Sequence, residues 1–114
     1  MAKTGRMDLF RGTLDMLVLL VLESGASHGY AIAKAIQAST DAVLDVEEGS
    51  LYPALYRMEK RGWIESRWGQ TDTNRRAKLY ELTPDGHQQL GEERANWARF
   101  TRAVGKLMAP DRKA

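Results

Sequence analysis

Between Arg57 and Lys78 the sequence places seven cations, Arg57, Lys60, Arg61, Arg67, Arg75, Arg76 and Lys78, against three carboxylates, Glu59, Glu65 and Asp72. That is a local charge of +4 within 22 residues of a chain whose overall charge is only +2. The remaining residues, ten basic and twelve acidic, are close to neutral. One basic segment on a near-neutral body suits contact with a polyanion. Ser50, Tyr52 and Tyr56 stand just upstream, and hydroxyls bond phosphates and base edges alike. Each charge taken singly reads equally well as solvated surface. The elements that carry the charges decide between the two readings.

Other chemistry is thinly represented. There are no cysteines, so disulfides and thiolate metal sites are excluded. The two histidines, His28 and His87, are far apart, and no nucleophile, base and orienting group stand together. Asp45, Glu47 and Glu48 read as a solvated acidic loop ahead of a helix N-terminus rather than as a cation site. No phosphate-cradling glycine loop or dinucleotide fingerprint occurs. No catalytic residue, metal or cofactor is therefore expected. The longest apolar run, Met16 to Leu22, is seven residues, far below the roughly 20 that span a bilayer. No apolar stretch follows the basic N-terminal residues directly, so no secretory signal is read and a cytoplasmic location is expected.

The elements can be read from periodicity. A first helix is expected from about Leu9 to Glu23, with Phe10, Leu14, Leu17 and Val21 at helical spacing and Met16, Val18, Leu19, Leu20 and Leu22 filling the other faces. A helix apolar nearly all round is buried nearly all round, and in so small a chain it is expected to touch a second copy as well. Gly25 suits a left-handed end. Ser27 is the expected cap of a second helix reaching about Ser39, with an Ile32 and Ile36 stripe and with Lys34 off it. A very short strand is expected near Asp45–Glu47. Ser50 is the expected cap of a third helix that ends near Arg61, with Pro53 in its first turn and Gly62 closing it.

Leu51, Leu55 and Met58 then face the core, leaving Tyr52, Tyr56, Arg57, Lys60 and Arg61 for other faces. Arg61 sits where a cation complements the helix dipole. Trp63–Trp68 and Ala77–Leu82 read as two strands of a hairpin, with Gly69–Asn74 as its tip and Arg75, Arg76 and Lys78 on its tip and return. Thr83 and Pro84 open a last helix, as cap and first helical residue, that runs to about Met108. Its Leu90, Trp97 and Val104 are seven apart, with Phe100 and Leu107 three after the last two. This partial heptad seam needs a partner, and a second copy is the simplest one.

Three helices, a basic hairpin and a long helix describe a mainly α (α+β) winged helix-turn-helix with a C-terminal dimerisation helix. Residues 1–8 are expected to be a flexible N-terminus, 9–83 the DNA-binding part, 84–109 the dimerisation helix and 110–114 a tail. The interface between copies is expected to use Leu14, Leu17, Val21, Leu90, Trp97, Phe100, Val104 and Leu107.

Specific blocks sharpen the reading. Gly49-Ser50-Leu51-Tyr52-Pro53-Ala54-Leu55-Tyr56-Arg57-Met58-Glu59, followed by Gly62-Trp63-Ile64, closely resembles the signature of the PadR family of bacterial transcriptional regulators. Leu14-Asp15-Met16-Leu17-Val18-Leu19, His28-Gly29-Tyr30-Ala31-Ile32 and Leu79-Tyr80-Glu81-Leu82-Thr83-Pro84-Asp85-Gly86 resemble further family segments in the same order. The resemblance implies a homodimer that binds a pseudo-palindromic operator in double-stranded DNA and usually represses. It implies contacts from Tyr30 and Lys34 of the second helix, and from Ser50, Tyr52, Tyr56, Arg57 and Lys60 of the third. Arg75, Arg76 and Lys78 of the wing complete the set. The tip Gly69-Gln70-Thr71-Asp72-Thr73-Asn74 departs from the glycine- and proline-containing tips of many members. Some relatives bind planar or phenolic molecules between aromatics, so Trp97 and Phe100 are candidate contacts for a small aromatic effector. Ordinary seam packing is the preferred reading of that pair. The rival functions are a winged-helix module that docks on a protein and a sensor whose main act is ligand capture.

Overall fold

The computed structural model describes residues 11–109, in the order α1 (Arg11–Leu22), β1 (Ser27–His28), α2 (Gly29–Ser39), α3 (Glu48–Lys60), β2 (Ile64–Gln70), β3 (Arg76–Leu82) and α4 (Pro84–Met108). The expected flexible N-terminus, the first-helix positions Leu9 and Phe10 and the tail lie outside the described residues. The remainder bears out a winged helix-turn-helix: helices pack around a small antiparallel sheet, and a long C-terminal helix follows.

α1 runs through the middle of the core because it is apolar on every side. Leu14, Met16, Val18, Leu19 and Leu22 are buried, and Leu17, Leu20 and Val21 pack against the core from its edge. Leu14 and Leu90, expected between two copies, are only 6% and 2% exposed. The chain's own elements already cover them, so they are core residues with little surface left to offer a partner. α1 ends at Leu22, and the chain turns out of it at Gly25, whose φ of +141° is open to glycine alone among ordinary residues.

Two helix starts differ from the sequence reading. Ser27 does not cap α2; with His28 it forms β1, which pairs antiparallel with β3 in the register Ser27↔Tyr80 and His28↔Leu79. The sheet order is β1-β3-β2. A hairpin alone would leave one edge of β3 without hydrogen-bond partners beside the core, and two residues of β1 supply them. α3 begins at Glu48 with Glu47 as its cap residue, and the Glu47 carbonyl accepts from Ser50 N at 3.0 Å and Leu51 N at 2.9 Å. Ser50 is thus inside the helix, and Pro53 falls in the second turn rather than the first. Pro53 has no N–H to give the Gly49 carbonyl, and Gly49 lies exposed on the outer side of the helix. Asp45–Glu47 itself is not a strand; a single β-bridge residue, Leu44, stands just before it, and Val46 turns inward to the core.

Other boundaries match their chemistry. α3 ends in a Schellman motif, with Trp63 N bonded to Met58 O and Gly62 N to Glu59 O, both at 3.0 Å, and Gly62 at φ +80°. Between α2 and α3, Thr40 Oγ1 donates to Ile36 O at 2.8 Å and accepts from Leu44 N at 3.1 Å. The wing tip is closed by Thr71: its Oγ1 accepts from Arg75 N at 3.2 Å, and its N–H donates to Arg75 O at 2.9 Å.

α4 starts as expected, with Thr83 Oγ1 accepting from Gly86 N at 3.0 Å and Pro84 in the first turn. Gly86 lies against the backbone just ahead of β2, where a Cβ would stand 1.9 Å from the Trp63 carbonyl oxygen. Leu90 fills the core, and Arg94 then grips Glu23 at the end of α1 through two bonds of 2.8 Å each. Past that clamp the helix carries Trp97, Phe100, Leu107 and Met108 as exposed apolar side chains. No helix among the described residues is long and apolar enough to cross a membrane.

Candidate nucleic-acid interface

At about 100° per residue, α3 turns Leu51, Ala54, Leu55 and Met58 to the core, where all four are buried. The opposite side presents Tyr52, Tyr56 and Lys60, all exposed. The Lys60 ammonium lies 5.3 Å from the Tyr56 ring centroid. Ser50 and Arg57 occupy the flank of the helix away from the wing. There Arg57 Nη2 donates to Asp15 Oδ1 at 2.9 Å. Asp15, 8% exposed, is the buried charge of α1, so Arg57 serves first as its counter-ion and holds α3 against α1. α2 repeats the division of faces: Ile32 and Ile36 are buried while Tyr30 and Lys34 lie exposed on the outside.

The wing owes its shape to strand alternation. The register pairs Ile64 with Leu82, Ser66 with Tyr80, Trp68 with Lys78 and Gln70 with Arg76, so these eight residues share one sheet face. Near α4 that face is core: Ile64, Tyr80 and Leu82 are buried. Toward the tip it outruns the core, and Trp68, Lys78 and Arg76 project over α2 and α3. Ser66 Oγ anchors β2 to α3 by donating to Glu59 Oε2 at 2.7 Å. Arg67 points to the other face, where it pairs with Glu81.

Between the helices and this overhang lies a cleft of about 550 Å3, lined by His28, Gly29, Tyr30, Tyr52, Trp68, Thr71, Thr73, Arg75, Arg76, Ala77, Lys78 and Tyr80. It brings together five of the ten expected contacts: Tyr30, Tyr52, Arg75, Arg76 and Lys78. Lys34, Ser50, Tyr56, Arg57 and Lys60 lie on the helices outside it. Three cations and no carboxylate line the cleft among the described residues.

Tyr52 owes its place to a glycine. Its ring lies so close to the first residue of α2 that a Cβ on Gly29 would be 2.8 Å from its Cε1 and hydroxyl oxygen. Burial, then the Glu48 carboxylate, push the Tyr52 phenol above its ordinary range. Burial, Glu59 and Tyr52 do the same to Tyr80. A phenol is protonated at neutral pH even without such a shift, so the exposed Tyr52 hydroxyl is able to donate a hydrogen bond.

The sequence reading assigned no contact to His28, Trp68, Thr71 or Thr73. His28 Nδ1 lies 3.1 Å from the Lys78 carbonyl oxygen, and its ring meets Tyr30 edge-on at 6.1 Å. Trp68 stands beneath Arg76, whose guanidinium carbon is 4.6 Å from the ring centroid, with the Lys78 ammonium at 5.9 Å. The signal for Trp68 was its parity with Ser66 and Gln70, which points one way only once the register is known.

Away from the cleft, Trp97 and Phe100 contact each other at 5.9 Å between centroids, with planes 37° apart. They border a hollow of about 500 Å3 that also touches Met16, Arg61 and Trp63. Leu17 and Val21 line a separate groove of about 480 Å3 between α1 and α2. No group of three or more His, Asp or Glu side chains among the described residues is placed to hold a metal ion.

This geometry has relatives. A transcriptional regulator from Clostridium thermocellum superposes with a TM-score of 0.77 at 34% identity, covering 84% of this chain and 90% of its own. A PadR family transcriptional regulator from Eggerthella lenta gives 0.72 at 35% identity, over 87% and 84% of the two chains. An uncharacterized protein of Lysinibacillus sphaericus is 29% identical over 103 residues, which cover 90% of this chain and 94% of that one. Residues 18–92, from the middle of α1 to the first turns of α4, match the sequence model of the transcriptional regulator PadR-like family. With that match spanning the core, α3 and the wing, this chain belongs to the PadR-like family of transcriptional regulators.

Proposed function

We propose that the chain acts in the cytoplasm as a repressor, binding as a homodimer to a pseudo-palindromic operator. Residues 9–83 form the DNA-binding part and residues 84–109 the helix that joins two copies. α3 enters the major groove with Tyr52, Tyr56 and Lys60 toward the bases, and Ser50 and Arg57 at its flank. Tyr30 and Lys34 of α2 and Arg75, Arg76 and Lys78 of the wing meet the backbone on either side. The observation that carries this reading is the cleft: phenols from two helices and cations from the hairpin line one surface, with no carboxylate among the described residues that line it. The proposed joint between copies uses Trp97, Phe100, Val104 and Leu107 of α4 with Leu17 and Val21 of α1. Support comes from the apolar surface that α4 exposes beyond its clamp.

Selection of bound duplexes from a random pool by the purified protein tests the reading. The expected result is a symmetric consensus with half-sites about one helical turn apart, roughly 34–36 Å. Affinity should fall steeply with salt, and Arg76→Ala should reduce that slope by about one. A pool that returns no consensus, or binding indifferent to salt, refutes it. A second reading rests on the hollow beside Trp97 and Phe100, which suits a small planar aromatic effector. Quenching of tryptophan fluorescence by such a compound, abolished in Trp97→Ala, is its test.

A further inference from the structure

We propose that Trp68 is a positioning residue of the wing, whose indole holds the Arg76 and Lys78 side chains in order over the cleft before any phosphate arrives. The inference rests on the cleft being a DNA surface and adds a residue that neither the basic pattern nor the helix-turn-helix pattern marks. Trp68 is directly across from Lys78, two register pairs from Arg76, and on the same sheet face as both. At 56% exposure it fills no core. What it does touch is cationic: the Arg76 guanidinium at 4.6 Å and the Lys78 ammonium at 5.9 Å from its ring centroid.

Three physical consequences follow from that placement. Arg76 and Lys78 are like charges two residues apart on one face and repel each other; the negative face of the indole offsets this for both. Long cationic side chains otherwise sample many rotamers and give up that freedom on binding. A guanidinium has five N–H donors, so one held over a ring still has donors left for a phosphate. An aliphatic residue at position 68 would supply bulk but no such attraction. Trp68 therefore tightens binding through the two cations without touching DNA.

The test uses the full chain with a fluorescein-labelled duplex drawn from the selected pool. Trp68→Leu should bind about five- to tenfold more weakly, the low end of what ordering two long cationic side chains on binding costs. Trp68→Phe, which keeps a π face, should stay within about twofold of the wild type. The slope of affinity against salt should not change in either variant, because no charge is removed. In an Arg76→Ala/Lys78→Ala background Trp68→Leu should have no further effect. A further loss there would show the indole touching DNA itself and overturn the proposal, as would wild-type affinity in Trp68→Leu. A second measurement needs no DNA: the Arg76 and Lys78 side-chain protons should show upfield ring-current shifts that vanish in Trp68→Leu. Absence of those shifts in the wild type also overturns the proposal. Ring-current shifts present with no salt-sensitive binding by the wild type would instead bring down the DNA reading and, with it, the role assigned to Trp68.

Discussion

Gly29→Ala separates the placement of Tyr52 from the stability of the fold. The added methyl would sit 2.8 Å from the ring and hydroxyl of Tyr52, a contact that cannot persist. The ring is the end of a flexible, half-exposed side chain, so it swings aside rather than moving α2. That displacement costs roughly 0.5–1.5 kcal/mol if the side chain leaves its preferred rotamer. Against it, alanine in place of glycine at the start of a helix gains up to about 0.5–1 kcal/mol. The two nearly cancel, so the melting temperature should shift by no more than about 5 °C either way. DNA binding has no such compensation. A phenol moved out of the cleft loses a neutral hydrogen bond worth about 0.5–1.5 kcal/mol, or roughly two- to tenfold in affinity. Fluorescence anisotropy with an operator duplex and thermal melting by circular dichroism measure the two effects. In a Tyr52→Ala background the clash partner is gone, so Gly29→Ala should then raise stability and leave affinity unchanged. Full affinity in Gly29→Ala, or additive affinity losses in the double variant, would refute the claim that this glycine seats a DNA-contacting tyrosine.

The other glycine contact gives the opposite balance. Gly86→Ala drives a methyl to within 1.9 Å of the Trp63 carbonyl, a backbone atom that cannot swing away. The variant should lose about 2–3 kcal/mol and melt roughly 10–20 °C lower. Arg57→Ala strands the buried Asp15 carboxylate; because the arginine side chain is itself 44% exposed, the cost in urea unfolding should be nearer about 1–2 kcal/mol than the full penalty of a buried pair. The bidentate bond from Arg94 holds the Glu23 carboxyl below the ordinary glutamate range. Its contribution is therefore present above that range and lost as pH falls through the lowered value. Glu23→Gln should flatten the acid limb of a melting-temperature profile and make it less sensitive to salt.

Local signals in the sequence held where one residue's chemistry decides a boundary. Thr83 and Pro84 open α4, Gly62 closes α3, and the hairpin lies between them. Signals failed where the deciding partner is distant in the chain. β1 is two residues long and has no periodicity to read; it exists because β3 needs a second edge partner. Ser50 is a better cap by type than Glu47, yet Glu47 has the extended backbone at the turn and its carbonyl takes the first bonds. Heptad spacing put Leu90 on a seam between two copies, but spacing does not say whose surface covers a residue, and this chain's own core covers it. The cation cluster was legible as a cluster. That Arg67 turns away, that Arg57 is tied to Asp15 and that Trp68 lies under two cations depend on strand register and on a contact 42 residues apart.

Among the described residues α4 is fastened along its first turns, by Gly86 against Trp63, by Leu90 in the core and by Arg94 against Glu23. From Arg94 to Met108 the helix extends about 20 Å further. A rod held at one end acts as a lever, and a tilt of about 10° at the base would carry its tip roughly 3–4 Å, close to the rise of one base pair. If two copies are coupled through these rods, the distance between their reading helices is governed at the small contact patch around Gly86, far from both the coupled ends and the duplex.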